Sequence, residues 1–121
     1  MDQGSLSEEL RCLAPQGRLD ALTVPRFEDG LREHLDQGAA RLVVDFGDVT
    51  YISSSGLRAL LTARRLARSQ GGDVKLCRLS PRVHEIFEMV GFTQVFGIYN
   101  SVEAAQMAFS SAPTQASEQA H

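Results

Sequence analysis

The hydrophobic positions along the chain alternate between short runs typical of β-strands and longer runs with helical spacing. Residues 10–14 and 41–46 are short apolar runs, and the second has the β-branched centre of a strand buried on both faces. Because Pro15 has no backbone N–H to donate, the chain near it is expected at a sheet edge, with residues 17–20 as a turn or a second short strand. This alternation predicts an α/β layer fold.

Four stretches carry apolar residues at helical spacing and therefore predict four helices. Their apolar stripes are Phe27, Leu31 and Leu35; Leu57, Leu60, Leu61, Ala63, Leu66 and Ala67; Val83, Ile86, Phe87 and Val90; and Val102, Ala105, Met107 and Phe109. The residues predicted to cap them are Thr23, a serine among residues 53–55, Ser80 and Ser101. Residues 74–79 predict a further strand, and residues 92–99 a last short strand or extended run.

The length of 121 residues and the hydrophobic content of 43% suit one cored domain. We expect this domain to span residues 1–109, with a frayed start over residues 1–9. Residues 110–121, SSAPTQASEQAH, have almost nothing to bury and are predicted to form a disordered tail.

The charge and the distribution of apolar residues argue against several classes of partner. A formal net charge of −3 gives no uniformly basic surface, so binding to nucleic acid or to anionic lipid is not expected. No apolar run approaches the roughly 20 residues that span a bilayer, and the polar start lacks the apolar core of a secretory signal. We therefore expect a cytoplasmic protein without a membrane partner, in which Cys12 and Cys77 stay reduced.

The stretch ISSSGLRAL, residues 52–60, places three serines and a glycine at the predicted start of the second helix. One serine suffices to cap a helix, which contributes ~1 kcal/mol. The other two are explained either as small residues where a strand turns into a helix, or as exposed hydroxyls with a function. Backbone N–H groups and the helix dipole favour an anion at such a place, so a bound or covalent phosphate would be well accommodated.

Motifs of catalysis and cofactor binding are missing from the sequence. It contains no GxxxxGK[ST], GxGxxG or GxSxG, so neither nucleotide binding nor a hydrolytic serine is predicted. His34, His84 and His121 lack the spacing of metal ligands. The sequence therefore predicts no catalytic residue, no cofactor and no metal, and the protein is expected not to be an enzyme.

Three segments resemble the anti-sigma-factor antagonists of the STAS group. Residues 42–96 contain an apolar strand that leads into SSSGL, similar to the Asp-Ser-Ser-Gly-Leu step of that family. Residues 17–20, GRLD, resemble its Gly-Glu-Leu-Asp element, and residues 79–92 resemble its Ser-Pro-x-Val…Phe-x-x-x-Gly-Leu segment. The resemblance runs from about residue 17 to residue 109. It implies a STAS-like single domain, with a mixed β-sheet of about four to five strands packed against about four helices.

The resemblance also implies a phosphorylation site. In that family the serine directly after the motif Asp is phosphorylated by a cognate kinase that also acts as an anti-sigma factor. Matched position by position, Ser53 replaces the Asp, Ser54 is the acceptor, and Ser55 precedes Gly56. Ser54 is therefore the expected acceptor, with Ser55 as runner-up and Ser53 as a further rival because the Asp is replaced.

Partner switching is the function that this resemblance implies. The unphosphorylated domain would bind and sequester a serine kinase and anti-sigma factor of the histidine-kinase-like ATPase type, phosphorylation would release it, and a serine phosphatase would restore the serine. The domain itself would be a monomer or a weak dimer. The expected partner-binding residues are Asp20, Ser53, Ser54, Ser55, Gly56, Leu57 and Arg58.

Other interpretations of the same residues stay open. The chain could be a STAS accessory or scaffold subunit, for example of a transporter ATPase, or a small α/β protein that holds an anion at the serine turn. Arg58, Arg64, Arg65 and Arg68 form either a docking surface for an acidic partner or an ordinary solvated helix face. Asp20, Asp45 and Asp48 are expected near the serines, as a rim that contacts the kinase.

Overall fold

The computed structural model describes residues 10–38 and 40–119, with backbone alone from residue 111 onward. The predicted frayed start, residues 1–9, lies outside the described residues. The elements in chain order are β1 (Leu10–Leu13), β2 (Gln16–Leu19), α1 (Val24–Asp36), β3 (Arg41–Asp45), β4 (Asp48–Ile52), α2 (Ser54–Ser69), β5 (Asp73–Cys77), α3 (Pro81–Met89), a short 3-10 turn (Phe92–Gln94), β6 (Ile98–Tyr99) and α4 (Val102–Gln119).

The strands form two sheets, and every strand pair among the described residues is parallel. The larger sheet has the order β1-β3-β5-β6, and the smaller one pairs β2 with β4. The predicted α/β class and the four helices are confirmed. The single mixed sheet of about four to five strands is corrected to six strands in two parallel sheets.

The second sheet arises because two neighbouring strands bend at the same level. Leu13 pairs with Val44 at the end of the larger sheet, and Gln16 pairs with Asp48 at the start of the smaller one. Between them one chain contains Pro15, which cannot donate to a ladder, and the other turns through the Val49 N–H bond to the Phe46 carbonyl (3.0 Å). The bend carries β2 and β4 away from the larger sheet and toward the starts of α1 and α2.

The core lies on both faces of the larger sheet, as predicted for its central strand. Alternate residues of β3 point to opposite faces, so Leu42 and Val44 pack with α1, α2 and α3, whereas Val43 packs beneath α4. Phe87 of α3 fixes the first of these layers through an edge-to-face contact with Phe46, with ring centroids 5.9 Å apart. Helices α1 to α3 therefore share one face of the sheet, and α4 covers the other.

Most positions of the predicted apolar stripes are buried or half-buried. The exceptions are Leu66, Val90 and Met107, which expose 38%, 49% and 68% of their surface. Within the described part of the chain, no helix has both the length and the apolar character needed to cross a bilayer.

The last helix, α4, continues to Gln119, through residues for which the sequence predicts a disordered tail. Five of residues 110–119, namely Ala112, Gln115, Ala116, Glu118 and Gln119, have good intrinsic helix propensity, which acts even where a segment has little apolar surface to bury, whereas Pro113 and the serines of the segment favour a helix less. The domain boundary at residue 109 stays a prediction.

Candidate functional site

The serine loop is held between the end of β4 and the first turn of α2. Ile52, the last residue of β4, pairs with Leu19 of β2, and the Ser53 N–H donates to the Leu19 carbonyl (2.8 Å). A β-carbon on Gly56 would lie 2.7 Å from Ile52 Cγ1, closer than such atoms can approach. The glycine thus lets α2 begin directly against the strand, and the loop sits on a rigid support.

The three serine hydroxyls differ in what they do. Ser53 caps α2, since its Oγ accepts a hydrogen bond from the Gly56 N–H (3.4 Å). The hydroxyls of Ser53 and Ser55 bond to each other at 3.0 Å, and both residues are half-buried. Ser54 is exposed, and its hydroxyl makes no hydrogen bond to any residue that the structure describes. Ser54 is therefore the accessible hydroxyl that the local fold does not use.

Asp20 lies beside this loop because it follows Leu19. Its Oδ1 accepts the Leu22 N–H (3.1 Å), and its Oδ2 pairs with the Arg18 Nε at 3.5 Å. Desolvation acts to raise the pKa of the Asp20 carboxyl, but bonds from the Leu22 and Thr23 N–H groups and from Arg18 outweigh it and hold the pKa below its ordinary value. Asp20 is therefore a fixed negative charge next to the serines.

Thr23 occupies the predicted N-cap position of α1, but its side chain makes no capping hydrogen bond. Its hydroxyl instead accepts the Asp20 N–H (2.9 Å) and donates to the Arg18 carbonyl (2.6 Å). The first N–H groups near the helix start bond to the Asp20 side chain and carbonyl. The predicted role of Thr23 is corrected, and this turn is organised by Asp20.

The other two acidic residues predicted near the serines lie elsewhere. Asp45 pairs with Arg78, Oδ2 to Nη1 at 3.1 Å, at the end of β3. Asp48 begins β4, whereas Ser53 follows its last residue, and an extended strand of that length separates them by ~16 Å. The prediction was wrong for both residues because it did not include β4, which carries the chain away from Asp45 before the serines are reached.

The four arginines of α2 also separate into two groups. Arg64 and Arg68 bind Asp73 at the start of β5, with closest N···O distances of 3.4 and 3.6 Å. They attach the helix to the sheet. Arg58 and Arg65 are exposed and form no ion pair with other described residues. Only Arg58, one turn after Ser54, lies near the serine loop, so no continuous docking surface of four arginines forms.

A groove that the sequence did not predict opens beside Ser54, between the start of α2 and helix α3. It has a volume of about 420 Å³ and is called the Ser54 groove below. Its lining residues are Tyr51, Ile52, Ser54, Leu57, Arg82, Glu85, Ile86, Met89 and Val90. Met89 and Val90 expose 78% and 49% of their surface at its rim. In the sequence, this rim is marked by Met89 and Val90, two neighbouring apolar residues before Gly91. The predicted buried stripe of the helix wrongly included Val90.

The whole site combines one unbonded hydroxyl with apolar and charged residues that face solvent. Leu22, on the turn after Asp20, exposes 90% of its surface. Exposed large apolar residues next to a polar centre are typical of surfaces that bind proteins. In the described part of the chain no side chain accepts a hydrogen bond from the Ser54 hydroxyl.

Comparison with known proteins identifies the family of the domain. The model of the STAS domain matches residues 6–105. BtrV of Bordetella bronchiseptica, named as a candidate anti-sigma factor antagonist, is 40% identical over 103 residues, which cover 85% of this chain and 87% of BtrV.

Two solved structures have the same fold. SpoIIAA, an anti-sigma factor antagonist of Bacillus solved in its unphosphorylated form, superposes with a TM-score of 0.71 at 23% identity, covering 81% of this chain and 85% of SpoIIAA. A sulfate transporter family protein from Wolinella succinogenes gives 0.69 at 17% identity, covering 84% of both chains. At these identities the two structures establish the shared fold.

Proposed function

Because the chain belongs to the STAS-domain family, we propose that it is an anti-sigma factor antagonist that exchanges partners according to the phosphorylation of Ser54. The unphosphorylated domain binds a serine kinase that is also an anti-sigma factor, of the histidine-kinase-like ATPase type. Phosphorylation ends this binding, and a serine phosphatase reverses it. We place the cycle in the cytoplasm, with the domain as a monomer or a weak dimer.

The observation that best supports the proposal is that the three serine hydroxyls differ in their hydrogen bonding. Ser53 caps α2 and Ser55 bonds to Ser53, so both hydroxyls are engaged in the local fold. Ser54 is exposed and unbonded within the described residues, which is what a kinase needs of its acceptor. The same contrast favours Ser54 over the rival acceptor Ser55.

The chemistry of the switch belongs to the kinase. A bond forms between Ser54 Oγ and the γ-phosphorus of ATP while the bond from that phosphorus to the bridging oxygen breaks, and ADP leaves with that oxygen. The hydroxyl proton passes to a base of the kinase. The domain supplies the acceptor and the surface around it, so we propose a substrate and binding protein rather than an enzyme.

The phosphate is expected to act on binding and not on folding. It adds about −1.5 to −2 charges at the first residue of α2, where the helix dipole stabilises an anion by ~0.3–1 kcal/mol. In an interface with an effective dielectric constant near 20, a like charge at ~4 Å opposes binding by about 4 kcal/mol. Since ~1.4 kcal/mol is tenfold in affinity, the kinase would bind more than a hundredfold more weakly.

The surface around Ser54 supports a protein partner. The proposed contact residues are Asp20, Ser53, Ser54, Ser55, Gly56, Leu57 and Arg58, with Leu22, Met89 and Val90 added from the structure. Gly56 and Leu57 are buried, so they shape this surface from beneath. Among these residues Leu22, Met89 and Val90 are exposed apolar side chains, of a kind common at interface centres.

Phosphate mapping tests the proposal directly. The domain is incubated with ATP and the kinase encoded beside it, and its intact mass and modified peptides are measured. We expect one phosphate per chain on Ser54, lost in Ser54→Ala and retained in the matched variant Ser55→Ala. Uptake by Ser54→Ala equal to that of the wild type would contradict the assignment.

An unmodified domain would point to the alternative, an accessory subunit. The solved transporter domain shares the fold, and such a subunit would use the serine surface for a constant interface without a phosphate cycle. Failure of every encoded serine kinase to modify the domain, together with copurification of a transporter ATPase, would favour this function over partner switching.

A further inference from the structure

The Ser54 groove contains a cation without a counterion. Arg82 lies in the first turn of α3 and lines the groove together with Ser54, which lies in the first turn of α2. Arg82 is exposed, and its guanidinium group forms no ion pair or hydrogen bond with any residue in the described ranges. The groove thus places a guanidinium group and an acceptor hydroxyl at one concave surface.

The electrostatics of this place suit an added anion. An arginine in the first turn of a helix lies at the positive end of the helix dipole, which disfavours a cation there. Neither α2 nor α3 has an acidic residue in its first turn to offset this. Glu85, three residues after Arg82, is the one carboxylate among the lining residues, and the two side chains form no ion pair. An anion at Ser54 would therefore relieve an unfavourable arrangement.

We propose that Arg82 binds the phosphate after Ser54 is phosphorylated, and that the resulting pair closes over the Ser54 groove. This inference rests on the proposed function, since it assumes a phosphate on Ser54. A planar guanidinium can donate two parallel hydrogen bonds to phosphate oxygens, which fixes the position of the group as well as its charge. Phosphorylation would then act in two ways, by adding charge to the contact surface and by covering the half-buried apolar residue Ile86.

Arg58 is the nearest rival for this role. It is exposed, lies four residues after Ser54 on α2, and could form an ion pair along the helix surface. Arg58 does not line the groove, however, so a pair with it would leave the groove open. Near the serines Arg18 already pairs with Asp20, and Tyr51 lies beneath Arg18 with its ring centroid 4.5 Å from the guanidinium carbon. Arg58 and Arg82 are therefore the two cations to compare.

The test uses the full chain with phosphoserine incorporated at position 54 during translation, so that no kinase is needed. The second pKa of the phosphate is measured by ³¹P NMR as a function of pH. We expect it below the ordinary value of about 6 in the wild-type background. Arg82→Gln should raise it by about 0.5 to 1 unit, Arg82→Lys by less, and Glu85→Gln should lower it, as neighbouring charges do.

Arg65→Gln is the matched control, because Arg65 is also exposed and lies about three turns after Ser54 along α2. It should leave the phosphate pKa unchanged, and Arg58→Gln should change it less than Arg82→Gln does. Equal values for Arg82→Gln and Arg65→Gln, or a larger shift for Arg58→Gln, would overturn the proposal. Urea titration of each variant checks that it is folded. If the kinase leaves Ser54 unmodified, the proposed function fails while this measurement still reports on Arg82.

Discussion

Helices α2 and α3 begin in nearly the same way. The difference between their starts distinguishes residues that stabilise the fold from a residue that is available for function. Each has a serine N-cap in an extended conformation that accepts the N–H group three residues on. The distances are 3.4 Å from Gly56 to Ser53 and 3.2 Å from Val83 to Ser80. At α3 the cap is followed by Pro81, which has no hydroxyl. At α2 it is followed by two further serines, so this start contains more hydroxyls than capping requires.

The third residue after the cap shows a second difference. Val83 is fully buried and packs its side chain into the core. Gly56 leaves no room for a side chain, because its β-carbon would meet Ile52. The start of α3 is thus held by packing, and the start of α2 by close backbone approach to β4. The comparison shows that the start of α2, packed closely against β4, exposes the Ser54 hydroxyl, which forms no hydrogen bond within the described residues.

The largest effect is expected from a charge at Ser54. Ser54→Asp should lower affinity for the kinase by roughly a hundredfold or more, because an interface built around a neutral hydroxyl would have to desolvate an unpaired carboxylate. The fold should be unaffected, since an acidic residue is favourable in the first turn of a helix. Titration calorimetry with the purified kinase measures the affinity.

Ser101→Asp is the control for this variant. Ser101 caps α4, where its Oγ accepts the Ala104 N–H (3.0 Å), and α4 covers the opposite face of the sheet. Asp caps a helix as well as Ser does, so Ser101→Asp should leave α4 intact. It adds the same single negative charge as Ser54→Asp, but far from the proposed binding surface. Equal loss of affinity in both variants would mean that binding depends on net charge and not on position 54. The start of α2 would then have no special function relative to the start of α3.

A smaller effect is expected from filling the close approach at α2. Gly56→Ala places a methyl group 2.7 Å from Ile52 Cγ1, and relieving this contact costs about 1–3 kcal/mol. Alanine recovers about 1 kcal/mol through its helix propensity. The net loss in the free energy of unfolding should be about 0–2 kcal/mol by urea titration. Gly30→Ala is the control, because its β-carbon would lie at an ordinary 3.4 Å from Leu13. A stabilised Gly56→Ala would show that α2 does not need this contact.

The starts of α2 and α3 were predictable because their signals are local. A serine followed by an apolar stripe, and a proline after Ser80, predict a cap and a first turn without knowledge of the rest of the fold. The start of α1 was predicted less well. Thr23 is an acceptable cap by residue type, but its hydroxyl is taken up by the Asp20 N–H and the Arg18 carbonyl, while the Asp20 carboxylate accepts the Leu22 and Thr23 N–H groups in an Asx turn.

The rest of the site depends on contacts between distant segments. β4 was missed because Asp48–Ile52 alternates weakly and follows a bend at Phe46, so Asp45 and Asp48 were placed at the wrong end. The Ser54 groove requires knowing that α3 packs beside β4, which no local pattern contains. Val90 continues the apolar spacing of α3, yet it lies after the last helical residue and faces the rim of the groove.

The smallest effects concern the hydroxyls themselves and test the comparison most closely. Ser80→Ala should lower the free energy of unfolding by about 1 kcal/mol, the usual contribution of a cap. Ser53→Ala should cost less, about 0.5 kcal/mol, because its bond to Gly56 is longer. Ser54→Ala should lie within about 0.5 kcal/mol of the wild type, since it removes no hydrogen bond within the described residues. Urea titrations with a common m-value rank the three variants. If Ser54→Ala lowered the free energy of unfolding as much as Ser80→Ala does, the Ser54 hydroxyl would also stabilise the fold. Ser54 would then not differ from the capping serines.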